Sequence, residues 1–235
     1  MSKKIQIACM AKDPSERAKK VNRKTGASET GKKPSGRTVS REQGQPELRK
    51  EKPEIRIRQA ADRLFYSEGF DATGINRVLE EAGAHKQSLY SHFESKEDLG
   101  RAYVEERGRQ VAQLLRTLTG RPDPVSMVRS WVGILKREAR KESFYGCPLA
   151  NFSSQTLSHG NRFQPLLNEL LNDWMEILAD YFRRWADSTG TDKSARKLAR
   201  QLLMVYEGNT QLFLITRDPS WLDRISDDFE DLLCL

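Results

Sequence analysis

The stretch from Pro53 to Leu99, PEIRIRQAADRLFYSEGFDATGINRVLEEAGAHKQSLYSHFESKEDL, leaves the chain few options, because it spells three short helices and the turns between them. Over Glu54 to Ser67 the apolar residues Ile57, Ala60, Ala61, Leu64 and Phe65 recur at the spacing that paints one helical stripe. Pro53 suits the first turn, where the amide it lacks would be unpaired anyway. Gly69 closes the helix by taking a left-handed conformation that a side chain resists. A second helix, about Ile75 to Glu81, has Ile75, Val78, Leu79 and Ala82 as its inner face, with Thr73 positioned to cap its free amides. Gly83 then turns the chain, and a third helix begins near His85 with Leu89 and Phe93 inward. Two short helices joined by a Gly-containing turn, behind a supporting helix, form a helix-turn-helix. Such a unit projects the solvent face of its second short helix into the DNA major groove. That face here offers Lys86, Gln87, Ser88 and Tyr90.

The segments AADRLFYSEGFDATGINRVLEEAG and SLYSHFESKEDL make the stretch recognisable: it resembles the DNA-binding domain of the TetR family of bacterial transcriptional regulators. Two positions depart from the family pattern. Gly74 stands where Ser, Thr or a β-branched residue is usual, and His85 replaces the usual Ser or Thr, removing a good cap. The resemblance implies an all-α chain: a three-helix DNA-binding head over residues 53–99, then a helical effector-binding and dimerisation body over 100–235. It also implies a homodimer that pairs its last two helices across a two-fold axis, and a small-molecule effector that respaces the heads. No cofactor, metal or enzymatic activity is expected.

On the head, Lys86 is placed to reach guanine O6 or N7 and Gln87 to reach adenine N6 and N7. Thr73, Ser88, Tyr90, His92 and Lys96 are expected to hold phosphates and fix register, while His85 suits either task; packing beside Phe93 is the alternative for His92. A dimer sets two recognition helices on one face of double-stranded DNA, so the operator is expected to be palindromic.

The formal charge of +7 is unevenly spread. Residues 1–52 hold 15 Lys or Arg against 6 Asp or Glu, whereas the rest of the chain is nearly balanced. That extension has too few apolar residues to offset its ordering entropy and is expected to be disordered. It is either an arm that binds phosphates without regard to sequence or a solvated extension. The arm supports a rival function, a nonspecific nucleic-acid-binding or architectural protein. No apolar run approaches the roughly 18 residues of a membrane span, and no secretory signal is evident. Cys9, Cys147 and Cys234 are odd in number and far apart, as expected of a reducing cytoplasm rather than a disulfide framework.

From Ser95 onward the periodicity is helical almost throughout. Ser95 caps a fourth helix reaching about Leu118, in which Gly100 and Gly108 mark either a deformable lever or close packing. A fifth helix spans about Pro124 to Lys141, with Val128, Trp131, Val132 and Leu135 inward. A loop then leads to a short sixth helix, whose GCPLAN resembles the start of that helix in part of the TetR family. A seventh helix carries a wide apolar stripe from Phe163 to Trp185, and an eighth spans Asp192 to Arg217 with Gly208 and Asn209 interrupting it where a second backbone can approach closely. A ninth helix after DPS has Trp221, Leu222, Ile225, Phe229 and Leu232 inward, and its run DDFED suits a solvated face better than a metal site.

An effector pocket is expected inside the fifth to eighth helices. Its candidate walls are Trp131, Phe144, Phe152, Trp174, Met175 and Tyr181, with Asn151 and Gln155 as polar anchors, although aromatics at helical spacing also serve as plain core. Cys147 is a candidate redox sensor or an inert thiol; the first role needs a lowered pKa and access. His159 stands alone in a loop, and no catalytic constellation is visible.

Overall fold

A computed structural model of the chain describes residues 51–141 and 143–234, the side chain of Cys234 excepted. The extension expected to be disordered therefore lies outside the described residues, except for its last two. Every regular element among the described residues is helical: α1 (Pro53–Ser67), α2 (Ile75–Ala82), α3 (Lys86–Tyr90), α4 (Lys96–Leu118), α5 (Pro124–Ala139), α6 (Pro148–Gln155), a 3-10 segment (Leu157–Arg162), α7 (Gln164–Thr189), α8 (Ala195–Thr216) and α9 (Ser220–Cys234).

Local chemistry sets most of the boundaries. Pro53 begins α1, and the amides of Glu68 and Gly69 both donate to Leu64 O, with Gly69 at φ +96°. Ser95 Oγ accepts from Asp98 N to start α4, and Asp123 Oδ1 accepts from Ser126 N to start α5. One expected cap fails. Thr73 is buried and its hydroxyl donates to Gly69 O at 2.7 Å, bracing the α1–α2 turn. Gly74 takes the cap position of α2 in extended conformation, without a side-chain bond to the helix. Arg56 closes the other end, its Nη1 donating to Ala82 O (2.8 Å) and Gly83 O (2.9 Å).

The head packs α1 against α2, α3 and α4; in the body α7 lies against α4 and α8, and α9 against α5 and α8. Ile57, Ala60, Ala61, Leu64 and Phe65 are all buried, as the α1 stripe requires. A train of edge-on aromatic contacts, Phe65–Phe70 (5.1 Å), Phe70–Phe152 (5.2 Å) and Phe152–Phe163 (5.0 Å), runs from the head into the body.

The two glycines of α4 are explained by that packing. A Cβ on Gly100 would lie 2.5 Å from Phe70, and one on Gly108 would lie 2.8 Å from Leu170, while Trp174 Nε1 donates to Gly108 O at 3.0 Å. Close packing, not a lever, is their role. Gly208 and Asn209 do not interrupt α8, which is continuous. Asn209 Nδ2 donates to Val205 O (3.0 Å) and to Asp228 Oδ2 (2.9 Å), tying α8 to α9.

Candidate functional site

α3 is a helix of five residues, too short to hold itself together in water. Leu89 (fully buried) and Phe93 just beyond it anchor it to the head, which leaves the opposite face free. Lys86 and Gln87 are exposed there, Tyr90 is 55% exposed, and Ser88 is half-buried. His85 precedes the helix in extended conformation with its ring uninvolved in capping. Lys86 has no ion pair among the described residues, unlike Arg63, held by Glu81 at 3.2 Å, and Arg77, held by Glu68 at 3.5 Å.

His92 is exposed rather than packed, with Nδ1 3.8 Å from the Glu54 carboxylate. Lys96 is half-buried: its ammonium sits 4.6 Å over the Phe70 ring and reaches Asp71 O at 3.4 Å. Thr73 does not belong with these surface groups. Its burial and its bond to Gly69 O remove it from any phosphate.

Head and body are joined by pairs that lie far apart in sequence. Arg107 grips Asp62 with two hydrogen bonds (2.6 and 2.9 Å), its guanidinium 4.4 Å over the Tyr66 ring. The Tyr66 hydroxyl donates to Gly146 O (2.7 Å) and accepts from Tyr145 N (3.1 Å). On α6, Gln155 Oε1 accepts from Phe70 N at 2.7 Å, and Gln155 Nε2 donates to Asn151 Oδ1.

His159 is not alone. Its Nε2 lies 2.6 Å from Asp71 Oδ1, and Ser158 donates to Asp71 Oδ2 at 3.0 Å. Partial burial raises the Asp71 carboxyl pKa, but the hydrogen bonds from His159 and Ser158 outweigh it and hold the carboxyl below its ordinary value. None of these joint residues carries a local sequence signature, since each partner lies some 45 to 88 residues away.

The expected effector residues do not share one chamber. Trp131 and Phe144 line a cavity of about 640 Å³ bounded also by Tyr66, Arg107, Leu135 and Tyr206, with Trp131 stacked on Tyr206 at 4.8 Å. Trp174 and Met175 line a separate apolar groove with Leu171 and Met204. Asn151 and Gln155 line a third, more polar cleft. Phe152 and Tyr181 line none of the three. Phe152 is core, sealed among Phe70, Tyr103 and Phe163, and the Tyr181 hydroxyl is spent on Arg121 O at 3.2 Å.

Cys147 is buried, and burial together with the neighbouring Glu207 carboxylate pushes its thiol well above the ordinary range. A buried thiol with a raised pKa is the opposite of what redox sensing asks.

Comparison with known proteins agrees with this geometry. The sequence model of bacterial regulatory proteins of the tetR family matches residues 57–103, and that of the LmrA/YxaF-like transcriptional regulator C-terminal domain matches residues 124–228. The chain is similar to the HTH-type transcriptional regulator YxaF of Bacillus subtilis, 27% identical over 76% of this chain and 93% of that protein. It is similar also to the regulator LmrA of the same organism, 26% identical over 76% and 95%. Its fold is shared with a TetR-family regulator from Streptomyces coelicolor (TM-score 0.65, 22% identical, covering 77% of this chain and 94% of that one). A second solved neighbour comes from Cytophaga hutchinsonii (TM-score 0.68, 19% identical, covering 77% and 92%).

Proposed function

The chain belongs to the TetR family of bacterial regulatory proteins, and from that premise we propose that it is a sequence-specific repressor released from a palindromic operator by a small-molecule effector. The observation that carries the reading is the outward placement of Lys86 and Gln87 on a short helix locked from behind by Leu89 and Phe93. Lys86 and Gln87 read base edges. Ser88, Tyr90, His92 and Lys96 position the head on phosphates, and His85 serves either role.

Two copies pair through α8 and α9. An exposed apolar stripe on α8 supports this: Met204 is 65% exposed, Leu212 37% and Ile215 69%, all on the face that Gly208 leaves bare. Burying such a face against its own copy makes a self-complementary interface, which sets two copies of α3 on one side of the duplex.

The effector enters the cavity lined by Trp131 and Phe144. That space touches the head directly through Tyr66, and through Arg107 it touches Asp62 of α1. A ligand filling it displaces the Tyr66–Arg107 stack and so tilts α1. It releases DNA to the extent that it binds the tilted shape more tightly than the DNA-bound one; equal affinity for both would shift nothing.

Selection from a random DNA pool with the full chain tests the reading. The expected outcome is a two-fold symmetric site whose recovery survives deletion of residues 1–50. A pool without sequence preference, or one whose retention depends on those residues, would support the nonspecific alternative instead.

A further inference from the structure

The third cleft has no part in that account. It lies between the end of α1, α6 and the C-terminal half of α8, encloses about 540 Å³, and is lined by Tyr66, Asn151, Gln155, Glu207, Thr210 and Arg217 among others. Two of its groups are chemically incomplete. The Glu207 carboxylate is half-buried beside the Cys147 thiol; no Lys, Arg or His among the described residues pairs with it. Thr210 is 2% exposed and its hydroxyl has no hydrogen-bond partner. A half-buried carboxylate without a cation and a buried hydroxyl without a partner each cost stability, and here both line the same cleft, one helical turn apart on α8. Arg217, the cation among the lining groups, is exposed, where solvent and salt screen it.

We propose that this cleft is a second ligand site, taking a small molecule whose protonated amine or amidine pairs with Glu207 and hydrogen-bonds Thr210. The cation supplies the charge that the carboxylate lacks, and its N–H groups supply the donor that Thr210 lacks. The cleft is built partly from the α1 end and from the Asn151–Gln155 pair that holds Phe70 N, so its occupant contacts the joint between head and body. Tyr66 lines both this cleft and the apolar cavity, so the two sites share a wall.

Burial raises the Glu207 carboxyl above its ordinary pKa, against the thiol's hydrogen bond, so the ionised group is disfavoured in the unliganded fold. Glu207→Gln keeps the shape, removes that disfavoured charge, and is therefore expected to fold.

The test is calorimetric titration of the full chain, free of DNA, with benzamidine and with benzamide, its neutral counterpart of the same shape. The expected result is binding of benzamidine with benzamide about tenfold weaker or more. Glu207→Gln abolishes that difference, Thr210→Val weakens benzamidine, and Phe144→Leu in the neighbouring cavity leaves benzamidine unchanged. Equal binding of the two probes, absence of binding by either, a cation preference that survives Glu207→Gln, or its loss in Phe144→Leu overturns the proposal. Because DNA takes no part, the outcome is independent of whether an effector releases the operator.

Discussion

Replacing Gly100 by Ala isolates the contact that seats the head on the body. An added Cβ meets Phe70 at 2.5, 3.1 and 3.2 Å, well inside contact distance. The ring has nowhere to retreat, with Phe65 at 5.1 Å, Phe152 at 5.2 Å, His159 at 5.5 Å and the Lys96 ammonium 4.6 Å over its face. Gly133, inside α5, has nothing within 4 Å of the same added atom. Both substitutions gain about 1 kcal/mol of helix propensity, so that contribution cancels between them and the overlap remains. Inserting a methyl into a packed core costs about 1–3 kcal/mol. Denaturant unfolding at one fixed chain concentration should therefore place Gly100→Ala below Gly133→Ala by that amount. Fixing the concentration matters because self-association shifts apparent stability. A Gly100→Ala protein as stable as Gly133→Ala would refute the packing account of α4.

Thr73→Val keeps the shape but loses the bond to Gly69 O; it should cost about 1 kcal/mol while leaving the salt dependence of DNA binding unchanged, whereas a lowered salt slope would return Thr73 to the phosphate contacts. Gly208→Leu fills the bare part of the α8 face, so sedimentation should show a shift from dimer to monomer; an unchanged dimer would place the seam elsewhere. The Asp71 carboxyl has a folded pKa below its unfolded one, so its stabilising effect is fully present above about pH 4 and is lost as pH falls through the folded value. The melting temperature of the native chain should accordingly drop more steeply on acidification through that range than that of Asp71→Asn; parallel curves would show that the Asp71–His159 contact contributes nothing.

What the sequence made legible follows from where the information lies. The α1 stripe and the inward Leu89 and Phe93 were readable because helical period and burial are local properties, and each of these residues is buried. Thr73 misled because a hydroxyl before a helix has two local choices: the free amides ahead, or the carbonyl four residues behind that it takes here. The joint was invisible. Asp62–Arg107, Tyr66–Gly146, Phe70–Gln155 and Asp71–His159 unite residues that no spacing rule connects. Most of the effector candidates are aromatic, and aromaticity alone does not separate a cavity wall such as Trp131 from sealed core such as Phe152. Nothing in the sequence around Cys147 announces its burial beside Glu207.

The central claim, that the exposed face of α3 reads bases, is tested most directly by measuring Gln87→Ala against the selected operator and its single-base variants at one salt concentration. The account predicts a loss of discrimination of about 1–3 kcal/mol at one base pair in each half-site, with the other positions unaffected. An equal loss of affinity on every sequence would contradict it, and would make Gln87 a backbone contact.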